Sequence, residues 1–419
     1  MQTFCIFAGY VNNMLRQQIT FLLSIMLTVC MLASAQNNTS SPYSRFGYGE
    51  LNDNVPGAYR ALGSVSTGMR SKYVIAPAQP ASYSAVDSTS FMFDIGASLI
   101  YSNYGDALGK KNKINGNLEY FTIQFPIWKY IGFSLGIEPF SMVGYEITDS
   151  VTNTAHPYQK LYTGTGGITQ LYGGLSFNIL NWVAIGANVY YMFGNVYNSR
   201  LLSFNESNFT SVLQVSSMHV SDVRFRYGLQ LFHSFRQNHY VVIGATFENK
   251  SKLNGDFTLQ EVFSSVDSTI TNINSGFDLP MMFSVGASYN YANRLTIAFD
   301  FWQTQWANIK YMDLNNQFNN RNKYSFGVEY RHNPDGRKYV ERMPFRLGLS
   351  VATNYEKSII GNEYILSIGT AFPLRNVNTQ INATLEYGHR GSNQTLREDF
   401  LRFSINASIN ERWFIRRKL

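Results

Sequence analysis

The clearest feature of the chain is an alternation of apolar and polar residues over stretches of about ten residues. Within residues 294–306, Leu295, Ile297, Phe299 and Phe301 alternate with mostly small or polar residues. Because successive side chains of a β-strand point to opposite faces, this spacing predicts a strand with one apolar face. The same alternation recurs at 223–231, 324–331, 381–388 and 401–409.

Breaks in the alternation set the number of strands. Outer-membrane barrels alternate short periplasmic turns with longer external loops. Six short connections and seven longer ones predict fourteen antiparallel strands between Ser90 and Arg412. A further apolar stretch, 257–264, would break this order and is assigned to a loop. The short connections lie near 128–131, 180–182, 236–239, 292–294, 332–342 and 374–378, and the longer ones at about 104–116, 147–168, 198–219, 250–280, 307–321, 355–361 and 391–397.

A soluble β-sandwich would also alternate, but its second face would be richer in Lys and Glu. Here that face is mostly Gly, Ser, Asn and Thr, which suits a crowded barrel lumen. Only 15% of the residues are charged, against about 25% in an ordinary soluble domain. After the first 35 residues the chain has no apolar run long enough for a transmembrane helix. We therefore expect an all-β, fourteen-stranded antiparallel transmembrane barrel with an N-terminal plug.

The N-terminus carries the pattern of a secretion signal. Arg16 precedes an apolar stretch, 19–32, and Ala33-Ser34-Ala35 provides a cleavage site, so residues 1–35 are expected to be removed. Met14 offers an alternative start. Cys30 raises a lipoprotein alternative, which the bulky Val29 before it disfavours. Beyond residue 35 the chain has no cysteine, so no disulfide or thiolate site is expected.

Two segments flank the predicted barrel. Residues 36–89 are rich in Pro, Gly, Ala and Ser without alternation, which argues against strands. Their aromatic and aliphatic residues need a place to pack, so a plug inside the lumen is favoured over a flexible periplasmic tail. Residues 413–419 are expected to form a short basic tail in the periplasm. An exported barrel of this kind places the protein in the outer membrane of a Gram-negative bacterium, in contact with its lipid.

Two motifs in the predicted plug resemble the FadL family of outer-membrane channels for long-chain fatty acids and aromatic hydrocarbons. The stretch 57–63, with Arg60 and Gly63, is similar to the segment that opens the hatch of that family. The stretch 76–81 stands where the family has an Asn-Pro-Ala motif. Gln79 replaces the Asn before Pro80 and Ala81, which puts any role of that side chain in doubt.

Two further motifs in the predicted barrel also resemble this family. Residues 136–141 are similar to its Pro-Phe-Gly stretch in the third strand, with Ser141 in place of Gly. Residues 279–289, followed by Asp300 and Trp306, look like its "L-P-x-x-x-x-x-G-x-x-Y … D … W" strand pair. No single motif is specific, but the four occur in the family's order and span the chain beyond the signal.

The resemblance implies a barrel closed by an N-terminal hatch, through which hydrophobic small molecules such as long-chain fatty acids diffuse before leaving sideways into the membrane. Relatives of this fold also resemble non-transporting subunits of secretion or barrel-assembly machines. The expected function is therefore a channel for hydrophobic compounds, with a subunit of an outer-membrane complex as the alternative. External loops and the hatch surface are where a partner protein would bind.

Pro139 is the sharpest local signal, because a proline inside a strand cannot donate its ladder hydrogen bond. With Glu138 and Phe140 it marks either a lateral opening in the barrel wall, as the resemblance implies, or merely a bulge near the outer rim.

Several charged residues fall on predicted lumen-facing positions. An arginine there would bind a fatty-acid carboxylate through two hydrogen bonds. The alternative is that the charges pair with each other and with the hatch. The similar numbers of acidic and basic residues favour this alternative. The residues are Asp94, Arg224, Arg226, Asp300, Glu329, Arg331, Arg346, Glu386 and Arg402.

Aromatic residues near the predicted strand ends are expected to form girdles at the membrane interfaces. They are Tyr101, Tyr104, Trp128, Tyr130, Tyr145, Trp182, Tyr191, Trp306, Tyr311, Tyr330 and Trp413.

Other classes of function find no support in the sequence. The six histidines are scattered, and no nucleophile elbow or paired-carboxylate motif stands out, so neither an enzyme nor a metal or cofactor site is expected. The formal charge of +7 comes from scattered basic residues, which gives no reason to expect nucleic acid.

Overall fold

Fourteen antiparallel strands form the body of the molecule. The computed structural model describes residues 39–412 except 106–108, 153, 155, 205, 207–208, 237, 264–267, 274–276, 313, 358, 375–378 and 393–395. The predicted signal peptide and basic tail lie outside the described residues. The strands are β1 (Ser90–Gly105), β2 (Lys110–Trp128), β3 (Ile131–Val151), β4 (Tyr158–Leu180), β5 (Val183–Phe204), β6 (Val212–Phe235), β7 (His239–Glu248), β8 (Met282–Tyr291), β9 (Leu295–Thr304), β10 (Arg321–Arg331), β11 (Pro344–Thr353), β12 (Asn362–Pro373), β13 (Gln380–Gly391) and β14 (Arg397–Arg412).

The sheet closes on itself through β1, which pairs with β2 on one side and with β14 on the other. Each remaining strand pairs with its sequence neighbours, so the wall is a continuous meander. Closure removes the free sheet edges that make open sheets prone to aggregation. The predicted fold class, an all-β fourteen-stranded barrel, is confirmed.

The alternation in the sequence explains why these segments are strands. On β9, Phe299 is 47% exposed on the outside of the wall, whereas Asp300 next to it is fully buried. Phe299 lies opposite Phe326 of β10, so apolar side chains meet across the outer face. No helix in the described residues is long or apolar enough to cross a membrane.

Strands β3 to β6 are the longest of the barrel. They contain 21, 23, 22 and 24 residues, whereas crossing a membrane takes about 9 to 11. Their outer halves therefore continue beyond the membrane, and a hairpin of Gly255–Val262 and Ser268–Ile273 pairs with the outer half of β6. Residues 257–262 therefore form part of an external hairpin and not a wall strand, although the sequence predicted a loop there. The predicted loops 147–168 and 198–219 were too long, because outside the membrane a strand has no lipid-facing apolar residues to mark it.

An aromatic and aliphatic core fills the outer part of the barrel. Trp306 is only 2% exposed, and its ring centroid lies 4.9 Å from that of Tyr355 and 5.6 Å from that of Tyr48. Tyr104 and Tyr145 are buried as well. The prediction that Tyr104, Tyr145, Trp306 and Tyr311 belong to an interfacial girdle was wrong, because the first three are buried and Tyr311 packs against the same core. The core consists of Tyr48, Phe140, Val143, Tyr145, Ile168, Met192, Val196, Met218, Val220, Leu253, Phe257, Phe277, Leu279, Trp306, Ile309 and Phe318.

Residues 39–89 form short elements that pack against the inner face of the wall. They comprise two 3-10 turns, Pro42–Arg45 and Pro80–Ala85, and one helical turn, Gly57–Arg60. Most residues between Asn54 and Ser84 are buried. We call residues 39–89 the hatch.

Candidate functional site: the hatch and the seam between β2 and β3

A buried arginine joins the hatch to two strands of the wall. The Nη1 atom of Arg60 lies 2.6 Å from Oε1 of Glu119 on β2 and 3.9 Å from Oε2 of Glu386 on β13. Arg402 on β14 lies 3.4 Å from the same Glu386 oxygen. The predicted lumen charges Glu386 and Arg402 are therefore brought together with the hatch residue Arg60, and opposite charges face one another.

Asp300 binds the backbone of the hatch. Its Oδ2 accepts hydrogen bonds from the backbone N–H groups of Ser66 and Thr67, both at 2.6 Å, and its Oδ1 accepts one from Gly68 at 3.1 Å. Three backbone donors that burial would otherwise leave unpaired are satisfied by one carboxylate. We call this contact the Asp300 clamp.

Gly63 lies where the hatch backbone touches the wall. It has a positive φ of 70°, and a Cβ at this position would come within 2.6 Å of the carbonyl oxygen of Leu349. Its N–H donates to Oγ of Ser367 at 3.1 Å. Both the backbone angle and the close approach require glycine here.

Gln79 ties the second half of the hatch to the wall. Its Nε2 donates to the carbonyl oxygen of Thr67 at 3.0 Å and approaches those of Leu229 and Ala245 at 3.4 Å. Pro80 follows directly, in the 3-10 turn. The side chain that replaces the family's Asn thus has a structural role.

Ala81 anchors the same turn through its backbone. Its carbonyl oxygen accepts hydrogen bonds at 2.8 Å from Oγ of Ser176 and from Nη1 of Arg70. The turn packs closely on the wall, because a Cβ on Gly186 would come within 2.5 Å of the carbonyl carbon of Pro80.

The remaining predicted lumen charges form three separate groups. Asp94 accepts hydrogen bonds from Tyr120, Asn406 and Ser408. Arg224 and Arg226 both contact Glu248. Glu329 lies 2.7 Å from Nε of Arg346 and 3.7 Å from Arg331.

Sequence reasoning missed several inward-facing charges, among them Glu119, the Arg390–Glu398 pair and Asp53. Asp53 of the hatch lies 2.9 Å from Arg321 and 2.5 Å from Lys323, both on β10. Burial alone would raise the pKa of Asp53, but the attraction of Lys323 and Arg321 holds it well below the usual value of an aspartate. The alternation of β10 places Lys323 on the inward face of the wall. A charged side chain there needs a partner in the lumen, and this was the one signal in the sequence.

The ladder of hydrogen bonds between β2 and β3 is incomplete. The two strands pair only from Phe121 opposite Ile137 to Trp128 opposite Ile131. Beyond Ile137, β3 continues to Val151, but among the described barrel strands only β4 pairs with this part of it. Its free side is met by Glu50 and Leu51 of the hatch, which pair with Met142 and Ser141. The hatch thus supplies a short strand where β2 has separated from β3.

Pro139 stands where the seam opens. The register of β3 against β4 shifts between Pro139 and Ser141, as expected for a residue that lacks an N–H group. Glu138 faces inward, only 3% exposed, and accepts a hydrogen bond from Nε2 of Gln170 at 2.7 Å. Phe140 is buried in the outer core, with the Arg224 guanidinium 5.2 Å from its ring centroid.

Two small cavities lie next to the hatch. The first, of about 100 Å³, touches both sides of the seam through Leu118 and Pro139, and its wall includes Arg60, Glu119 and Arg390. The second, of about 70 Å³, lies deeper, against Arg224, Arg226 and Glu248. Ion-paired side chains line a large part of both.

The fold of the barrel is that of the FadL-type channels, whose solved structures it resembles. The toluene transporter TodX of P. putida superposes with a TM-score of 0.59 at 16% identity, covering 87% of this chain and 100% of that chain. The CymD monoaromatic hydrocarbon channel gives a TM-score of 0.58 at 12% identity, covering 86% of this chain and 99% of that one. A Pseudomonas aeruginosa FadL homologue gives 0.55 at 12% identity over the same shares. These neighbours are channels and not enzymes, and the likeness shows the fold.

The sequence itself matches the BamG family over residues 14–419. The chain belongs to the BamG family. Among curated proteins, none matches the sequence significantly.

Proposed function

We propose that the protein is a plugged barrel that acts as a structural subunit of an outer-membrane protein assembly or secretion complex. One observation carries this proposal: the hatch is fastened to the wall along its whole length by buried polar contacts. Arg60, Asp300, Gln79 and Asp53 each join it to different strands. A hatch held in this way suits a scaffold better than a gate.

The energetic cost of moving the hatch supports this choice. Removing one partner of a buried ion pair costs about 3 to 5 kcal/mol, because the other charge remains buried and unpaired. Releasing the hatch from β9 would also leave the three backbone donors of the Asp300 clamp without their acceptor. Binding of a small apolar molecule offers no charge to replace these contacts.

The two small cavities, one against Arg60 and one against Glu248, also fit a ligand poorly. Sites for small molecules usually measure about 300 to 1,000 Å³ and are mostly apolar. The two cavities next to the hatch measure about 100 and 70 Å³ and carry many charged residues. Above them, the outer core packs the mouth of the barrel with aromatic side chains.

Deleting the gene tests the proposal. We expect normal uptake of a labelled fatty acid and of toluene, together with reduced levels of other proteins in the outer membrane. Loss of uptake with unchanged levels of outer-membrane proteins would contradict the subunit role.

The open seam favours a second candidate, a channel through which hydrophobic small molecules diffuse and leave sideways between β2 and β3. In this role Glu50 and Leu51 of the hatch form the gate, because they cover the free side of β3. A disulfide between Leu51→Cys and Ser141→Cys, which are paired residues, locks that gate. A second pair across the wall, Phe299→Cys with Phe326→Cys, is the matched control.

The two roles give opposite results with these variants. A channel loses uptake when the Leu51 and Ser141 pair is oxidised and regains it on reduction, while the control pair has no effect. A structural subunit shows the same uptake in the oxidised and reduced states of both pairs.

A further inference from the structure

The largest of the three cavities lies away from the seam and the outer core. Its volume is about 790 Å³, and its walls are the hatch around Arg70, the connection between β8 and β9, and the ends of β10 and β11. The short connections of such barrels face the periplasm. The cavity therefore opens at the periplasmic end, and its volume is within the range of ligand-binding sites.

The cavity has an excess of positive charge. Five cationic side chains line it, from Arg70, Lys72, Arg294, Arg331 and Arg346, against the two anionic side chains of Glu329 and Asp335.

The cations are only partly neutralised, although Lys72 pairs with Asp87 at 3.4 Å. Arg331 and Arg346 share one carboxylate, that of Glu329. The buried Nε atom of Arg331 has no hydrogen-bond partner in the described part of the chain. The side chain of Arg294, in the connection between β8 and β9, is exposed.

Arg70 adds a charge that no acid balances. Its guanidinium donates to neutral acceptors, the Ala81 carbonyl, Gln230, Ser84 and Asn178, and stacks on the ring of Phe232 at 4.1 Å. Within the described residues it forms no ion pair with a carboxylate. A guanidinium held by neutral groups keeps its full charge for an anionic ligand.

The positive surface continues beyond the rim of the cavity. The connection from β10 to β11 adds Arg337, Lys338 and Arg342, with Asp335 and Glu341 as its only acids. The cavity wall also contains four tyrosines, Tyr59, Tyr73, Tyr240 and Tyr291. Arginine and tyrosine are the side chains that contribute most often to protein–protein binding energy.

We propose that this cavity binds an extended acidic segment of a partner protein in the periplasm. The cations come from the hatch and from three separate parts of the wall, so one small anion cannot reach them all. Ser288, Thr296 and Arg346 are buried inward-facing residues of the wall, which places the cavity out of reach of lipid headgroups on the outside of the barrel. That the acidic segment belongs to a partner subunit rests on the proposed function.

Peptide binding to the purified full-length protein in detergent tests the proposal. The probe is a fluorescein-labelled ten-residue peptide of alternating Asp and Gly, and the reference is the same peptide with Asn in place of Asp. We expect fluorescence anisotropy to detect the acidic peptide only, with an affinity that falls as salt rises. Arg294→Glu should weaken binding about fivefold or more, because it reverses a charge at an exposed position of the cavity wall.

A matched variant and a competitor complete the experiment. Lys110→Glu reverses an exposed charge at the outer end of β2 and should leave binding unchanged. Equal binding of the two peptides, an unchanged affinity of Arg294→Glu, or an equal loss with Lys110→Glu would each overturn the proposal. Complete displacement by inorganic phosphate at millimolar concentration would instead identify a site for small anions. If the acidic peptide does not bind, the gene deletion still tests the subunit role, because that experiment does not depend on this cavity.

Discussion

Single residues hold the hatch in place, and the Asp300 clamp is the clearest of them. One carboxylate on β9 accepts three backbone N–H groups of residues 66–68. Without it, three donors remain buried and unpaired. The contacts of Arg60 with Glu119 on β2 and Glu386 on β13 attach the hatch to another part of the wall. The hatch is therefore fastened at points far apart in the sequence.

The Asp300→Ala variant should lower the stability of the folded protein strongly. Each orphaned buried donor costs about 1 to 3 kcal/mol, so we expect a loss of about 3 kcal/mol or more, and faster proteolysis of residues 39–89. Thermal unfolding followed by circular dichroism and limited proteolysis measure both effects. Asp149→Ala, at an exposed position of β3, is the control. Equal stability of the two variants would show that the clamp does not hold the hatch.

The pairing of Asp53 with Lys323 and Arg321 predicts a particular dependence on pH. The pKa of Asp53 is lowered in the folded protein, so its contribution to stability is complete above about pH 4, the ordinary value for Asp, and is lost only as pH falls further. The difference in melting temperature between the natural protein and Asp53→Asn should stay constant from pH 7 to about pH 4 and shrink below it. A difference that disappears between pH 6 and pH 5 would contradict this assignment.

At the scale of the elements, the alternation of apolar and polar residues was enough to predict the strands. Alternation is a local property, so Leu295, Ile297 and Phe299 identify β9 without knowledge of the rest of the chain. The contacts of the lumen are not local. Asp53 and Lys323 are 270 positions apart, and no pattern within either segment says that they meet. The inward turn of Trp306 into the outer core was missed for the same reason.

The seam between β2 and β3 should be visible in hydrogen exchange. Beyond Met142 the free side of β3 has no partner strand in the described residues. The Gly144 N–H donates to Oγ of Ser44 in the hatch at 3.0 Å, and further along alternate amides of 145–151 point to that side without a ladder hydrogen bond. We expect about half of these amides to exchange rapidly, whereas residues 132–136 of the same strand, paired on both sides, stay protected. Equal protection of the two segments would mean that the seam is closed in solution.

At the scale of the whole molecule, a barrel with the fold of hydrocarbon channels has a hatch attached to its inner wall and an outer mouth packed with aromatic residues. The long outer halves of β3 to β6 and the basic periplasmic cavity offer surfaces on both sides of the membrane. A tightly attached hatch and extended strand ends support the scaffold role proposed above.

The filled interior predicts an electrically silent protein. Reconstituted in a planar lipid bilayer, the natural protein should show no ion conductance. Combining Arg60→Ala with Asp300→Ala removes two attachments of the hatch and should produce intermittent openings, because the inward-facing residues are polar. Steady conductance of the natural protein would contradict a closed lumen.

Purification from native membranes in a gentle detergent, with mass spectrometry of co-purifying proteins and bound lipids, tests the central claim most directly. The account predicts a stoichiometric complex with other outer-membrane proteins and no hydrophobic ligand in the barrel. A monomer that carries fatty acids or similar apolar molecules would contradict it.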